Sequence, residues 1–141
     1  MKPYAVSVVP LEDLVLFHKI EKIVQELPDI NLGIGEAGGK ILVSCHMLAR
    51  ALSSFYPVKC SDGCFGGTHK HSWLVTRNGL IIDVYPIAVV GGPILIDTRF
   101  MTPWTSLYKK LSLLELKSAY FRKNVGKVIK AVRQTMTTLG I

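Results

Sequence analysis

The chain reads as an α+β fold in which helices flank a small antiparallel sheet, and three observations predict it. Apolar residues recur at helical spacing near the N-terminus, short apolar runs separated by turn signals fill the middle, and helical spacing returns after Pro103. With 141 residues, 49% of them hydrophobic and 19% charged, one globular domain spanning 1–141 is expected, large enough to bury a core.

The elements follow in order. Pro10-Leu11-Glu12-Asp13 opens a helix with Pro10 at its first turn, and Leu14, Phe17, Ile20, Ile23, Val24 and Leu27 fall on one face before Pro28 ends it. Residues 31–40 are Gly-rich and read as loop. Ser44 then caps an apolar helix from Cys45 to about Phe55, broken by Tyr56-Pro57. A short strand is expected near Val58, an exposed loop over 61–67, and strands over 71–76 and 80–83 joined at Asn78-Gly79. Ile94-Leu95-Ile96 adds a strand. Beyond Pro103 the pattern predicts helix, with Ser112 and Glu115 as a capping box and Val125, Val128, Ile129, Val132, Met136 and Leu139 on one face.

Composition narrows the function. No apolar run approaches the roughly 20 residues of a membrane span, and Met1-Lys2-Pro3-Tyr4 lacks the features of a secretory leader, so a cytoplasmic protein without membrane contact is expected. Three cysteines exclude a complete disulfide framework.

Cys45, His71 and Asp83 occur in settings that suit a thiol nucleophile, its base and the carboxylate that orients the base. At a helix start, unpaired backbone N–H groups favour an anionic sulfur. His71 and Asp83 come from consecutive strands, so the register of the hairpin decides whether they meet. A two-residue Asn78-Gly79 loop pairs Arg77 with Leu80 and sends them to opposite faces. A three-residue Arg77-Asn78-Gly79 loop, with Gly79 left-handed, pairs Thr76 with Leu80, Trp73 with Asp83 and His71 with Tyr85, and makes His71 and Asp83 diagonal neighbours. The three-residue loop is therefore expected.

Cys at a helix start, His71-Ser72-Trp73 on a strand and Asp83 at the end of the next, with Tyr85-Pro86 after it, resembles the transglutaminase-like branch of the papain-like cysteine enzymes, whose core reads Cys, His-Ala-Trp and Asp-Pro-Thr. The resemblance covers 44–86. It implies a papain-like core with a Cys-bearing helix on an antiparallel sheet, and a thioester-forming Cys45 served by His71 and Asp83 in acyl transfer or amide and peptide hydrolysis. A peptide or protein amide is the implied substrate, with no cofactor. Ser72 stands where the family has a small apolar residue, and Tyr85 intervenes before Pro86. Trp73 and Asn31 are the expected substrate contacts, Asn31 as a second oxyanion donor beside the Cys45 N–H.

Other motifs have weaker context. Gly33-Ile34-Gly35-Glu36-Ala37-Gly38 matches the dinucleotide string but follows no hydrophobic strand. Cys60, Cys64, His69 and His71 offer four zinc donors at nonstandard spacing, and the main rival reading is a non-catalytic binding module with zinc there or with the basic C-terminal helix as its contact surface. The formal charge of +7 gathers in Lys109, Lys110, Lys117, Arg122, Lys123, Lys127, Lys130 and Arg133. Such a face suits an anionic partner, but no nucleic-acid motif accompanies it, so a solvated helix face is expected and no nucleic-acid partner. His46 lies about 100° around the helix from Cys45 and reads as a poor base; His69 is the expected stand-in for His71.

Overall fold

The computed structural model describes residues 9–87 and 89–141; the segment Met1-Lys2-Pro3-Tyr4 discussed above lies outside them. The fold is α+β. Helix α1 (Leu11–Glu26) and helix α2 (Cys45–Ser53) precede strands β1 (Val58–Phe65), β2 (His69–Thr76), β3 (Ile81–Asp83) and β4 (Ile94–Ile96). A single turn α3 (Thr102–Thr105), strand β5 (Tyr108–Lys110), a 3-10 turn (Leu114–Lys117) and the long helix α4 (Ala119–Leu139) complete the order. The sheet is antiparallel in the order β4-β3-β2-β1-β5.

The two faces of the sheet bury different sets. Val58, Leu74 and Ile82 point to one side, where they meet Ile20 and Ile23 of α1, Leu48 and Leu52 of α2, and Val128 and Val132 of α4. Phe65, Trp73, Ile81, Ile96 and Tyr108 point to the other side and pack with Trp104 and Leu107. The apolar stripe read from the α4 sequence is the one buried: Val125, Ile129, Met136 and Leu139 pack beside Val128 and Val132.

The hairpin has the three-residue loop. Thr76 N–H donates to Leu80 O at 2.8 Å, Gly79 N–H donates to Thr76 O at 2.9 Å, and Gly79 sits at φ 84°. Leu74 pairs with Ile82 and Val75 with Ile81. Side chains hold this loop against α1. Thr76 Oγ1 donates to Asp13 Oδ2 at 3.0 Å, and Asn78 Nδ2 donates to Asp13 Oδ1 at 3.1 Å and Glu12 Oε1 at 2.7 Å. Asp13 is buried, and these bonds satisfy its carboxylate.

Three expectations are corrected. Residues 61–65 are not loop but part of β1, which pairs with β2 along its whole length from Val58↔Thr76 to Phe65↔His69. Its small residues are what the position requires: a Cβ at Gly63 would run into the Lys109 carbonyl of β5. Residues 108–110 form a strand on the outer edge of β1 rather than helix. Ser112 and Glu115 make no capping box. Glu115 instead takes a 2.6 Å bond from Lys70, and the serine that caps α4 is Ser118, accepting from Phe121 N–H at 3.1 Å.

Candidate active site

Cys45 is the first residue of α2, and Ser44 caps that helix by accepting from Met47 N–H at 3.3 Å. The uncapped N–H groups of the first turn surround the thiol with positive potential. His71 lies on β2 three residues before Leu74, the last residue paired with β3, so the β3-side edge of β2 is open at this point. There the Ser72 backbone bonds the Cys45 thiol at the start of α2.

His71 and Asp83 are both buried, and His71 Nε2 lies 2.7 Å from Asp83 Oδ2. Tyr108 Oη donates to the same oxygen at 2.6 Å. An ionised Asp83 requires the proton on Nε2, which leaves His71 Nδ1 for the thiol. The ring is also gripped by aromatics: Trp73 stacks at 6.1 Å and 30°, and Phe65 meets it edge-on at 6.1 Å. Burial lowers the affinity of His71 for a proton, yet the Asp83 and Cys45 bonds more than reverse this and raise its pKa to about 9.

Cys45 shows the complementary effect. Burial pushes its thiol up, but hydrogen bonds from the side chains of His46 and His71 and from the Ser72 backbone bring it down to about 6. Between those two values the sulfur is a thiolate facing an imidazolium. Cys60 behaves oppositely, burial raising it to about 11.

His46 is not turned away from the sulfur as its helical position suggests. Its Nδ1 lies 2.6 Å from Ser72 Oγ, which donates to Asp62 Oδ1 at 2.5 Å. Asp62 in turn receives Arg50 at both oxygens, Nη1 to Oδ1 at 2.9 Å and Nη2 to Oδ2 at 2.6 Å. Burial works to raise the Asp62 carboxyl, but the Arg50 and Ser72 bonds hold it below the usual carboxylate range. Ser72, the departure from the family motif, is thus the central link of a second polar network.

The remaining residues fall elsewhere. Trp73 is 2% exposed and packs beneath the imidazole, within the core of the sheet. The Asn31 carboxamide oxygen accepts from Gly33 N–H at 3.0 Å, and the residue lines a groove with Lys127, Lys130 and Gln134. His69 is exposed beside Thr68. The four zinc donors are divided by the sheet: Cys60 and Cys64 pair with Leu74 and Lys70, whereas Gly63 and Phe65 pair with His71 and His69, so thiols and imidazoles point to opposite faces. Among the described residues no group of three or more His, Cys, Asp or Glu side chains is placed to hold a metal. Gly33–Gly38 forms a tight loop closed by the Ile34↔Lys40 bridge. The lysines and arginines named above, from Lys109 to Arg133, are exposed, and no helix among the described residues is long and apolar enough to cross a membrane.

Tyr85 lines a cavity of about 220 Å³ with Val24, Leu27, Asp29, Ile30, Lys40, Ile41 and Val43. Tyr85 joins it to the site: burial raises its phenol, and the Cys45 charge raises it further. Comparison with protein-family models, with curated proteins and with solved structures found no match for this chain.

Proposed function

We propose that the chain is a thiol enzyme of the transglutaminase-like, papain-like type, which cleaves or transfers an amide acyl group through a thioester on Cys45. The observation that carries this reading is the buried 2.7 Å bond between His71 Nε2 and Asp83 Oδ2, beside a helix-start thiol whose pKa His71 helps to lower. A structural cysteine needs no such arrangement. The Cys-bearing helix packed on an antiparallel sheet, with histidine and aspartate on neighbouring strands, also fits a papain-like core.

In this mechanism the Cys45 thiolate attacks the substrate carbonyl carbon, and the C=O electron pair moves onto oxygen. The N–H groups at the start of α2 face that oxyanion. As the tetrahedral adduct collapses, His71 Nδ1–H gives its proton to the departing amine, and the C–N bond breaks to leave a thioester. Water or a second amine then attacks, His71 takes its proton, and the sulfur departs as thiolate. Asp83 holds the ring in the required tautomer throughout. The 220 Å³ cavity is smaller than the roughly 300 Å³ at which ligand pockets begin, and its mixed lining, aliphatic side chains with Asp29 and Lys40, suits a single side chain of the substrate.

The test is acylation by activated donors. Incubation with p-nitrophenyl esters and p-nitroanilides of apolar acyl groups is expected to release nitrophenol or nitroaniline and leave the acyl group on Cys45, located by peptide mass spectrometry. Cys45→Ala is expected to abolish both. A wild-type protein that carries no acyl group on Cys45 with any donor, while iodoacetamide still alkylates that thiol, would defeat the proposal.

A further inference from the structure

Two donors converge on one buried oxygen of Asp83. His71 Nε2 lies 2.7 Å from Oδ2, and the Tyr108 hydroxyl donates to the same atom at 2.6 Å. The other oxygen, Oδ1, is buried and has no hydrogen-bond partner among the described residues. Tyr108 reaches Asp83 from β5, an edge of the sheet, with β1 and β2 between them. Its ring meets Phe65 of β1 and Trp73 of β2 edge-on, each at 5.1 Å. A phenylalanine would fill this aromatic layer equally well; what tyrosine adds is the hydroxyl on Oδ2. Burial, and then the Asp83 bond, push the phenol well above its ordinary range, so the hydroxyl keeps its proton and remains a donor.

This second donor bears on His71 because Asp83 acts on the ring in two ways. It fixes the tautomer, and its charge holds the proton on the imidazole. In the free site the Cys45 charge helps to hold that proton. Once the sulfur carries an acyl group its charge is gone, and Nδ1 must be bare to accept a proton from water or an amine. A carboxylate oxygen shared with a second donor pulls less strongly on the first.

We propose that Tyr108 is a positioning residue that acts on His71 through Asp83, drawing part of the carboxylate charge away from the imidazole so that the ring works as a base once Cys45 is acylated. In that step the nucleophile gives its proton to His71 Nδ1 and its electron pair to the acyl carbon, and the sulfur leaves with the C–S pair. The titratable groups facing His71 are Asp83 from β3, Cys45 from α2 and Tyr108 from β5; around the sulfur stand His46, Arg50, Cys60 and Tyr85.

This inference rests on the reading of Cys45 as a nucleophile served by His71, and titration of the ring separates the two because it needs no substrate. Protein with isotope-labelled histidine nitrogens would be followed by NMR from about pH 5 to 11, with His71→Gln identifying the His71 signals. The wild-type midpoint is expected at about 9. Tyr108→Phe, which keeps the packed ring and removes only the hydroxyl, is expected to tighten the hold on the proton about tenfold and move the midpoint to about 10. Should circular dichroism show that variant unfolded, meta-fluorotyrosine in place of tyrosine, a more acidic donor of similar shape, is expected to move the midpoint below the wild-type value. Breakdown of acyl-Cys45 formed from p-nitrophenyl acetate, followed by peptide mass spectrometry, is expected to rise with pH as the ring becomes neutral, and its curve to move to higher pH in Tyr108→Phe. A His71 midpoint that stays or falls in folded Tyr108→Phe would overturn the role of Tyr108 and leave the Cys45–His71 pair standing. A raised midpoint with an unmoved breakdown curve would overturn the step assigned to it. A wild-type protein that never carries the acyl group would overturn both this step and the proposed function.

Discussion

The two polar networks that meet at Cys45 differ in solvent access, and the difference assigns them different tasks. His71, Asp83 and Tyr108 form a buried cluster walled by Phe65 and Trp73. Arg50 and Asp62 keep 26% and 23% of their side chains exposed. Inside a dry pocket a charge–charge bond is strong and any vacancy is costly, so the His71 side suits a fixed ion pair. The Arg50–Asp62 side is open to solvent, which weakens its ion pair. His71 is isolated from water, whereas His46 is half-buried.

Breaking the buried network should have the larger effect. Asp83→Ala strands the His71 N–H and the Tyr108 hydroxyl in a dry core, and chemical denaturation is expected to show a loss of about 3–5 kcal/mol. A loss below 1 kcal/mol would mean that water enters the pocket and that the comparison fails.

Second in size is the pH dependence of His71. Its pKa is raised in the fold to about 9 from an ordinary 6.5. The stabilisation this provides is complete below the unfolded value and is lost as pH rises through about 9. The stability gap between wild type and His71→Gln, measured by urea unfolding at a series of pH values, is therefore expected to shrink between 6.5 and 9, by no more than a few kcal/mol. A gap that widens over that interval would reverse the assignment of the imidazolium.

On the wetter side, Arg50→Ala removes two charge-assisted bonds from Asp62 and is expected to cost about 1.5–3 kcal/mol in thermal unfolding. Smallest is Ser72→Ala, expected near 1 kcal/mol by the same measurement. If Ser72→Ala cost as much as Asp83→Ala, the two networks would have to be treated as one buried unit.

Much of this arrangement was legible in the residues. The parity of the hairpin followed from requiring His71 and Asp83 on one face, and Gly79 supplied the left-handed residue that the three-residue loop needs. The apolar stripes of α1 and α4 were readable because burial on one side leaves a 3.6-residue period. β1 was not: Lys59-Cys60-Ser61-Asp62-Gly63-Cys64 carries the composition of a loop, and its strand conformation comes from partners on both edges. Residues 108–110 are too short to show a period. His46 was misread because the 100° rule describes side chains leaving a helix and ignores a strand crossing its first turn. Ser72 was the available signal: a hydroxyl in place of a small apolar residue, buried beside a histidine, has to be bonded to something.

The loop at Arg77-Asn78-Gly79 has a consequence for how relatives of this chain would be recognised. His71 and Asp83 are twelve positions apart. Lengthening the hairpin without disturbing their pairing adds one residue to each strand, so the interval between histidine and aspartate grows only in steps of two. A single insertion is neutral only if the turn changes type while Thr76 stays opposite Leu80; with a three-residue loop kept, it turns one member of the pair to the far side of the sheet. Sequences that keep the cysteine helix and the His-Ser-Trp strand can therefore be sorted by counting. An even interval with a glycine closing a three-residue loop preserves the pair; an odd interval needs either a different turn or a bulge elsewhere in the hairpin.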